Sequence, residues 1–232
     1  MNKNNNKIPE IITYVSSVDH INEALYSGAT HLIIEDSKCS IRSWSDQFDD
    51  SSFSHLHTLY KAIKAQSKQC KISLQCDVMM HQKDIGLIEQ LIHETAELQI
   101  EYVRVQDPGV MMLYKEKRPE QKCCFIQDMG NANSESMLIY SQYMDRQQLS
   151  LDITKEDIQK VCQEKAIHYE CMVQGPILIQ HSQRRYLAGL AEKNQSDAAT
   201  IIHRIAEDED YPGRRFTFYD NPHGHFMYAY FD

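Results

Sequence analysis

No run of eighteen apolar residues occurs in this 232-residue sequence, so no segment is built to cross a bilayer as a helix. The N-terminal Met1-Asn2-Lys3-Asn4-Asn5-Asn6-Lys7 lacks the apolar stretch of a secretory signal. Residues 1–8 read instead as a short disordered leader, and the chain as cytoplasmic. No Cys-x-x-Cys joins any of the seven cysteines, Cys39, Cys70, Cys76, Cys123, Cys124, Cys162 and Cys171. An odd count without that spacing favours free thiols in a reducing compartment. Adjacent Cys123 and Cys124 would face opposite sides of a strand, a poor chelating pair. No Gly-x-Gly-x-x-Gly follows a strand candidate, so a dinucleotide fold has no support. No Gly-x-Ser-x-Gly is present, and Ser182 has no His–Asp partners in a recognisable elbow. Cations are in deficit, with Lys+Arg 24 against Asp+Glu 33 and a net charge of −9. That argues against a broad nucleic-acid surface. Arg184, Arg185 and Lys193, and the pair Arg214–Arg215, remain as local basic patches or as a solvated face.

The sequence does contain a regular alternation of short β-rich runs and amphipathic helical runs. Strand candidates are Ile11–Val15, His31–Ile34, Lys71–Cys76, Glu101–Val105, Cys123–Gln127, Gln148–Leu151 and Ile167–Val173. Helical spacing of apolar residues marks Phe53–Ala65 and Asp84–Leu98. Shorter helices are expected after Asp19, over Met111–Lys117 and over Ser134–Tyr143. Thr154 is expected to cap Lys155–Gln163, and Gly28 to stop the first helix. A last helix is expected over Ser196–Ala206. The tail reads as a hairpin, with Arg215–Tyr219 turning through Asn221-Pro222-His223-Gly224 into Phe226–Phe231.

Repeated βα units predict a parallel sheet. Seven such strands fit an α/β, TIM-like (β/α) barrel, incomplete or distorted, with the C-terminal β-hairpin. No linker divides the chain, so residues 9–232 are expected to form a single domain.

In a βα barrel, chemistry sits at the C-terminal strand ends. Those positions hold Glu35, Asp36, Asp77, Asp107, Gln127, Asp128 and Gln174. Cys39 and Arg42 follow the second strand, and His81 follows the third. Asp107, Asp77, His81 and Cys39 are the catalytic candidates; Arg42, Gln127, Gln174 and Arg184 are the ligand-binding ones. The competing reading of Asp107 is as a helix cap within the turn Asp107-Pro108-Gly109. Cys39, between Lys38 and Arg42, is either a reactive thiol or an ordinary small loop residue. His223-x-His225 with Asp220 could bind a metal, but alternating His in a tail hairpin needs a third ligand and second-sphere support. His55-x-His57 reads as exposed, and Met79-Met80 and Met111-Met112 as core filling.

The segment from Val173 to Leu187 resembles the core motif of the collagenase-like (U-thirty-two) peptidase family, Val-His-Gly-Ala-Leu-Cys, a short gap, then Tyr-Ser-Gly-Arg-Cys. Gly175, Ser182 and Arg184 match it. Gln174 stands at the motif's His, and Leu178 and Arg185 at its cysteines. Further matching pieces are Ala24–Thr30, Cys39-Ser40-Ile41-Arg42, Gln106–Val110, Gln127 with Asn131 or Asn133, Gln148–Leu151 and the tail from Tyr211 to Asp232. The resemblance implies a (β/α)-barrel fold and a nominal peptidase classification. Better-understood relatives assist hydroxylation of RNA bases or of the ubiquinone ring, using an iron–sulfur cluster on four cysteines. Cys39 resembles one ligand of a ubiquinone-related branch, and the other ligands have no counterpart. One thiolate cannot hold such a cluster. The expectation is therefore a divergent member with no iron–sulfur cofactor and no metal. It would act as a noncatalytic partner, in a heteromer with a chain of the same family, or as a small-ligand binder. The alternatives are an active family enzyme, or an accessory factor in RNA-base or ubiquinone hydroxylation that uses the Arg184–Arg185 patch.

Overall fold

The computed structural model describes residues 9–42, 53–128, 130, 133–164, 167–193 and 202–229. The expected leader at 1–8 lies outside these residues. The first part of the chain alternates strand and helix: β1 Ile12–Tyr14, α1 Val18–Tyr26, β2 His31–Glu35, α2 Ser54–Gln66, β3 Lys71–Cys76, α3 Ile85–Glu94, β4 Tyr102–Val105, α4 Pro108–Lys117, β5 Cys123–Phe125, α5 Ser134–Tyr140, β6 Arg146–Gln148, α6 Lys155–Glu164 and β7 His168–Glu170. There follow β8 Ile177–Ser182, α7 Tyr186–Lys193, β9 Ile202–Glu207, β10 Arg215–Asn221 and β11 Gly224–Ala229.

Strands β1 to β7 lie side by side in chain order. The β1–β2, β2–β3, β3–β4, β4–β5 and β5–β6 ladders are all parallel. Sequential parallel order with an intervening helix is the topology of a (β/α) barrel. The described residues give no ladder joining β7 to β1, so the fold is an incomplete TIM-like barrel. The remaining strands form a four-stranded antiparallel sheet in the order β8-β11-β10-β9, and β10–β11 is the expected hairpin.

Alternation along the strands explains the layers. Leu32, Ile34, Ile72, Leu74, Val103, Val105 and Phe125 enter one apolar cluster with Ile21, Leu56, Ile63, Leu91 and Tyr114 of the helices. The opposite face is polar. The ladders align Glu35, Gln75, Arg104, Cys124 and Arg146 in one row across β2 to β6. All five are buried. Strands covered on both faces ordinarily read as continuous apolar runs, so a buried row of this composition is a feature to account for.

Local chemistry moves several boundaries. Helix α1 is capped by Ser17, whose Oγ accepts the His20 N–H at 3.2 Å, rather than by Asp19, which sits in the first turn. Gly28, at φ 94°, ends it as expected. The sixth strand is Arg146–Gln148, two residues before the expected start at Gln148. The polar pair Arg146-Gln147 hid it from a hydrophobic pattern, yet both side chains are buried. The helix expected over 196–206 is overturned in its described part, because Ile202–Glu207 is strand β9, paired with β10. Ile177–Ser182, which carries no strand pattern in the sequence, forms β8 against β11. Among the described residues no helix is long and apolar enough to cross a membrane.

The chain divides into two compact units. One comprises Met1–Ile126, Leu138–Gln147 and Ala166–His168; the other comprises Gln127–Met137, Gln148–Lys165 and Tyr169–Asp232.

Candidate functional site

In the first unit, the C-terminal ends of β2, β3 and β4 carry a connected set of buried polar side chains. Asp77 is 1% exposed. Its Oδ1 accepts the Ile41 N–H at 2.8 Å, and its Oδ2 accepts the Gln75 side-chain N–H at 2.8 Å. Arg42 Nε lies 3.3 Å from the same Oδ2. Gln75 in turn accepts from Arg104 Nε at 3.0 Å. Glu35 accepts the Ser40 hydroxyl at 2.9 Å. Burial, and then the neighbouring Asp77 charge, push the Glu35 carboxyl up to about 7, against the Ser40 hydrogen bond and Arg42, which pull it down. Glu35 therefore exchanges its proton near neutrality, the property a general acid or base needs. Asp77 instead holds the loop after β2 in place, through the Ile41 N–H and Arg42.

The opposite strand ends are tied as well. Glu10 pairs with Lys71, and its Oε2 accepts the Arg146 Nη2–H at 2.8 Å. Desolvation raises the Glu10 carboxyl, but these two cations outweigh it and leave it at about 2. Arg146 also lies 4.2 Å over the Tyr102 ring, and His31 Nε2 meets Ser73 Oγ at 2.8 Å.

Of the sequence-derived candidates, the first unit brings Asp77 and Arg42 together. Asp107 caps α4, accepting from Gly109 N at 2.7 Å and Val110 N at 3.3 Å, while its Oδ2 takes the Met80 N–H at 3.0 Å. Its cap reading is the one its contacts support. His81 is exposed at the start of the 3₁₀ turn Gln82–Asp84. Cys39 is fully buried in the apolar cluster. Contact with Cys39, and then burial, push the Cys76 thiol well above its usual range. Cys39 thus has no open approach for a dissolved substrate. Of the methionines, Met111 is core, whereas Met79 and Met112 are largely exposed. Glu35, Ser40, Gln75 and Arg104 complete the network. The signal for them is the polar residue at every second position of Ser73-Leu74-Gln75 and Tyr102-Val103-Arg104.

Gln127, Gln174 and Arg184 belong to the second unit. Gln127 folds over Gly130, where an added Cβ would lie 2.1 Å from its Oε1. Arg184 is exposed, and its N–H donates to Ser182 Oγ at 3.1 Å. Gln174 lines a cavity of about 300 Å³. Leu151, Ile153, Ile158 and Ile177 supply apolar wall, and Ser150 and Gln174 are its neutral polar groups. Cys171 also lines it; partial desolvation, with Cys162 adding to it, holds that thiol above its ordinary value. No Asp, Glu, Lys, Arg or His is among the lining residues.

The sequence model of Peptidase family U32 matches residues 16–200. The chain belongs to this family. Among solved structures it is similar to the U32 peptidase Mk0906, with 8% identity, a TM-score of 0.57, and coverage of 76% of this chain and 73% of that one. It also overlaps a candidate dehydratase from Mesorhizobium loti, with 13% identity, a TM-score of 0.48, and coverage of 72% and 48%. A comparison with curated proteins finds no match. At 8% identity the likeness to the U32 peptidase is one of fold.

The residues of this U32 chain do not fit a four-cysteine cluster. Cys39, Cys70, Cys76, Cys123 and Cys124 are buried, and only Cys162 and Cys171 are exposed. Cys123 joins the helix-side cluster and Cys124 packs with Tyr102 and Ile126 on the other face. Leu178 lies on β8 opposite Tyr228, where the family motif carries a cysteine. No group of three or more His, Cys, Asp or Glu among the described residues is placed to hold a metal ion.

Proposed function

We propose that this U32-family chain works without an iron–sulfur cluster and binds a small, uncharged, largely apolar ligand in the cavity beside Gln174. The observation that carries this reading is the neutral lining at the point where the family motif has its His. A glutamine can orient a ligand by donating and accepting hydrogen bonds, but it cannot take a proton. A charged ligand would be desolvated there without a counter-charge, at a cost of several kcal/mol. About 300 Å³ sits at the lower end of small-molecule sites. In this reading the chain is noncatalytic as regards cluster chemistry, resides in the cytoplasm, and keeps the barrel as a scaffold.

The test uses Nile red, a neutral apolar dye, followed by fluorescence. Saturable binding is expected, lost in Ile158→Trp, which fills the cavity, and weakened about tenfold in Gln174→Ala, which removes one hydrogen bond. Binding that survives Ile158→Trp in a folded protein would place the dye elsewhere and sink the assignment.

A further inference from the structure

Strand pairing in the second unit assembles a set of side chains that no sequence motif announces. Ser182 on β8 is the register partner of His225 on β11, and His225 is the register partner of Asp220 on β10. Register partners share a face and have Cβ atoms about 5 Å apart. Serine, imidazole and carboxylate therefore stand in one row across three adjacent strands.

The row is built with care for orientation. Asp220 is fully buried, and its Oδ1 lies 2.5 Å from His225 Nδ1. Its Oδ2 accepts the Ala188 N–H of α7 at 3.0 Å, which fixes the carboxylate from the other side. A carboxylate on Nδ1 fixes the tautomer and leaves Nε2 on the ring edge away from Asp220, with Ser182 the register partner on the neighbouring strand. No described residue bonds to that Nε2. Tyr186 packs edge-on to the imidazole with ring centroids 5.1 Å apart, and its hydroxyl oxygen accepts the Ser182 hydroxyl at 3.2 Å. Gly224 lets β8 come this close: a Cβ there would lie 2.1 Å from the Ser182 carbonyl oxygen. Ser182 is half-buried and Tyr186 is 45% exposed, so the serine end of the row is open to solvent.

We propose that Ser182, His225 and Asp220 form a hydrolytic triad for small esters, separate from the cavity beside Gln174. Rotation of the Ser182 hydroxyl from Tyr186 to His225 Nε2 arms the nucleophile. Its Oγ forms a bond to the ester carbonyl carbon while Nε2 takes the hydroxyl proton. The carbon–oxygen bond to the alcohol then breaks, and Nε2 passes that proton to the departing alkoxide. Water, deprotonated by the same Nε2, attacks the acyl-serine, and the proton returns to Oγ as the carboxylic acid leaves. Asp220 stabilises the imidazolium at both stages, the division of labour that convergent serine hydrolases share. The nucleophile sits at a strand end rather than in an elbow.

The experiment combines fluorophosphonate labelling with hydrolysis of 4-nitrophenyl acetate by the full chain. Wild type is expected to take up one label on Ser182, located by peptide mass spectrometry, and to hydrolyse the ester. Ser182→Ala should lose the label and slow turnover about a hundredfold, and His225→Gln should do the same. Ser182 lies half-exposed at a strand end, so its alanine variant keeps the test sound if His225→Gln unfolds. No label on the wild type, or labelling and turnover unchanged in folded Ser182→Ala, overturns the triad.

Discussion

Glu35 is a carboxyl enclosed with Ser40, Asp77 and Arg42 at the end of β2. An unfolded chain ionises it near its ordinary value of 4.5, the folded chain only at about 7. Between those values the folded state holds the extra proton, so stability falls as pH rises. The contribution is complete below pH 4.5 and is lost as the pH passes 7, a total on the order of 3 kcal/mol. Glu10 works in a different window: its carboxyl sits at about 2, so its contribution is present above 4.5 and disappears as pH falls toward 2. Urea unfolding from about pH 5 to pH 8 should show stability dropping by about 1 kcal/mol per unit until pH 7. Glu35→Gln should flatten that slope; an unchanged slope would mean that Glu35 ionises normally. The sequence placed Glu35 at a strand end, as polar as its neighbours. It could not rank Glu35 above Asp77, because what separates them is the number of donors each one meets. Ser182 makes the same point: its partners arrive through strand register, which no spacing along the chain encodes.

Strands and helices were legible where one face is apolar and the other is not. Lys71–Cys76 alternates cleanly, and β3 occupies those residues. The hairpin was legible from Asn221 to Gly224, where two residues must reverse the chain. Element β6 was displaced because its buried side chains are Arg146 and Gln147, whose burial is supported by Glu10 and by packing rather than by hydrophobicity. Strand β8 went unread because its outer residues are exposed and its pairing partner lies far along the chain. Glycine chemistry tests that pairing directly. Gly224 combines φ 133° with the close Ser182 carbonyl, whereas Gly28, at φ 94°, has nothing within 4 Å of an added Cβ. Gly28→Ala should cost about 1 kcal/mol, the backbone strain alone. Gly224→Ala adds a backbone collision and should cost about 2 kcal/mol more. Thermal melting of the two variants compares them, and equal losses would mean that β8 can withdraw from the turn without penalty.

At the scale of the whole chain, βα repetition was enough to anticipate a parallel sheet in sequential order, because each unit buries its helix stripe on its own strands. The antiparallel sheet was only half anticipated: β10 and β11 are neighbours in sequence, but β8 and β9 reach them over longer connections. The cysteines show how the fold uses its thiols. Five of seven are packed as small apolar residues, Cys123 is held at a pKa of about 11 by burial, and Cys76 is pushed well above its usual range by contact with Cys39 and by burial. A cluster ligand must be a thiolate, so these groups are poor ligands even before geometry is considered. A four-cysteine [4Fe–4S] site would bring about four irons per chain. Anaerobic purification from iron-supplemented cells should instead yield a colourless protein with iron near zero and seven cysteines titratable by a thiol reagent after unfolding. A brown protein with a visible absorption shoulder, and iron that stays with the chain through gel filtration, would restore the cluster and reject the proposed loss of that chemistry.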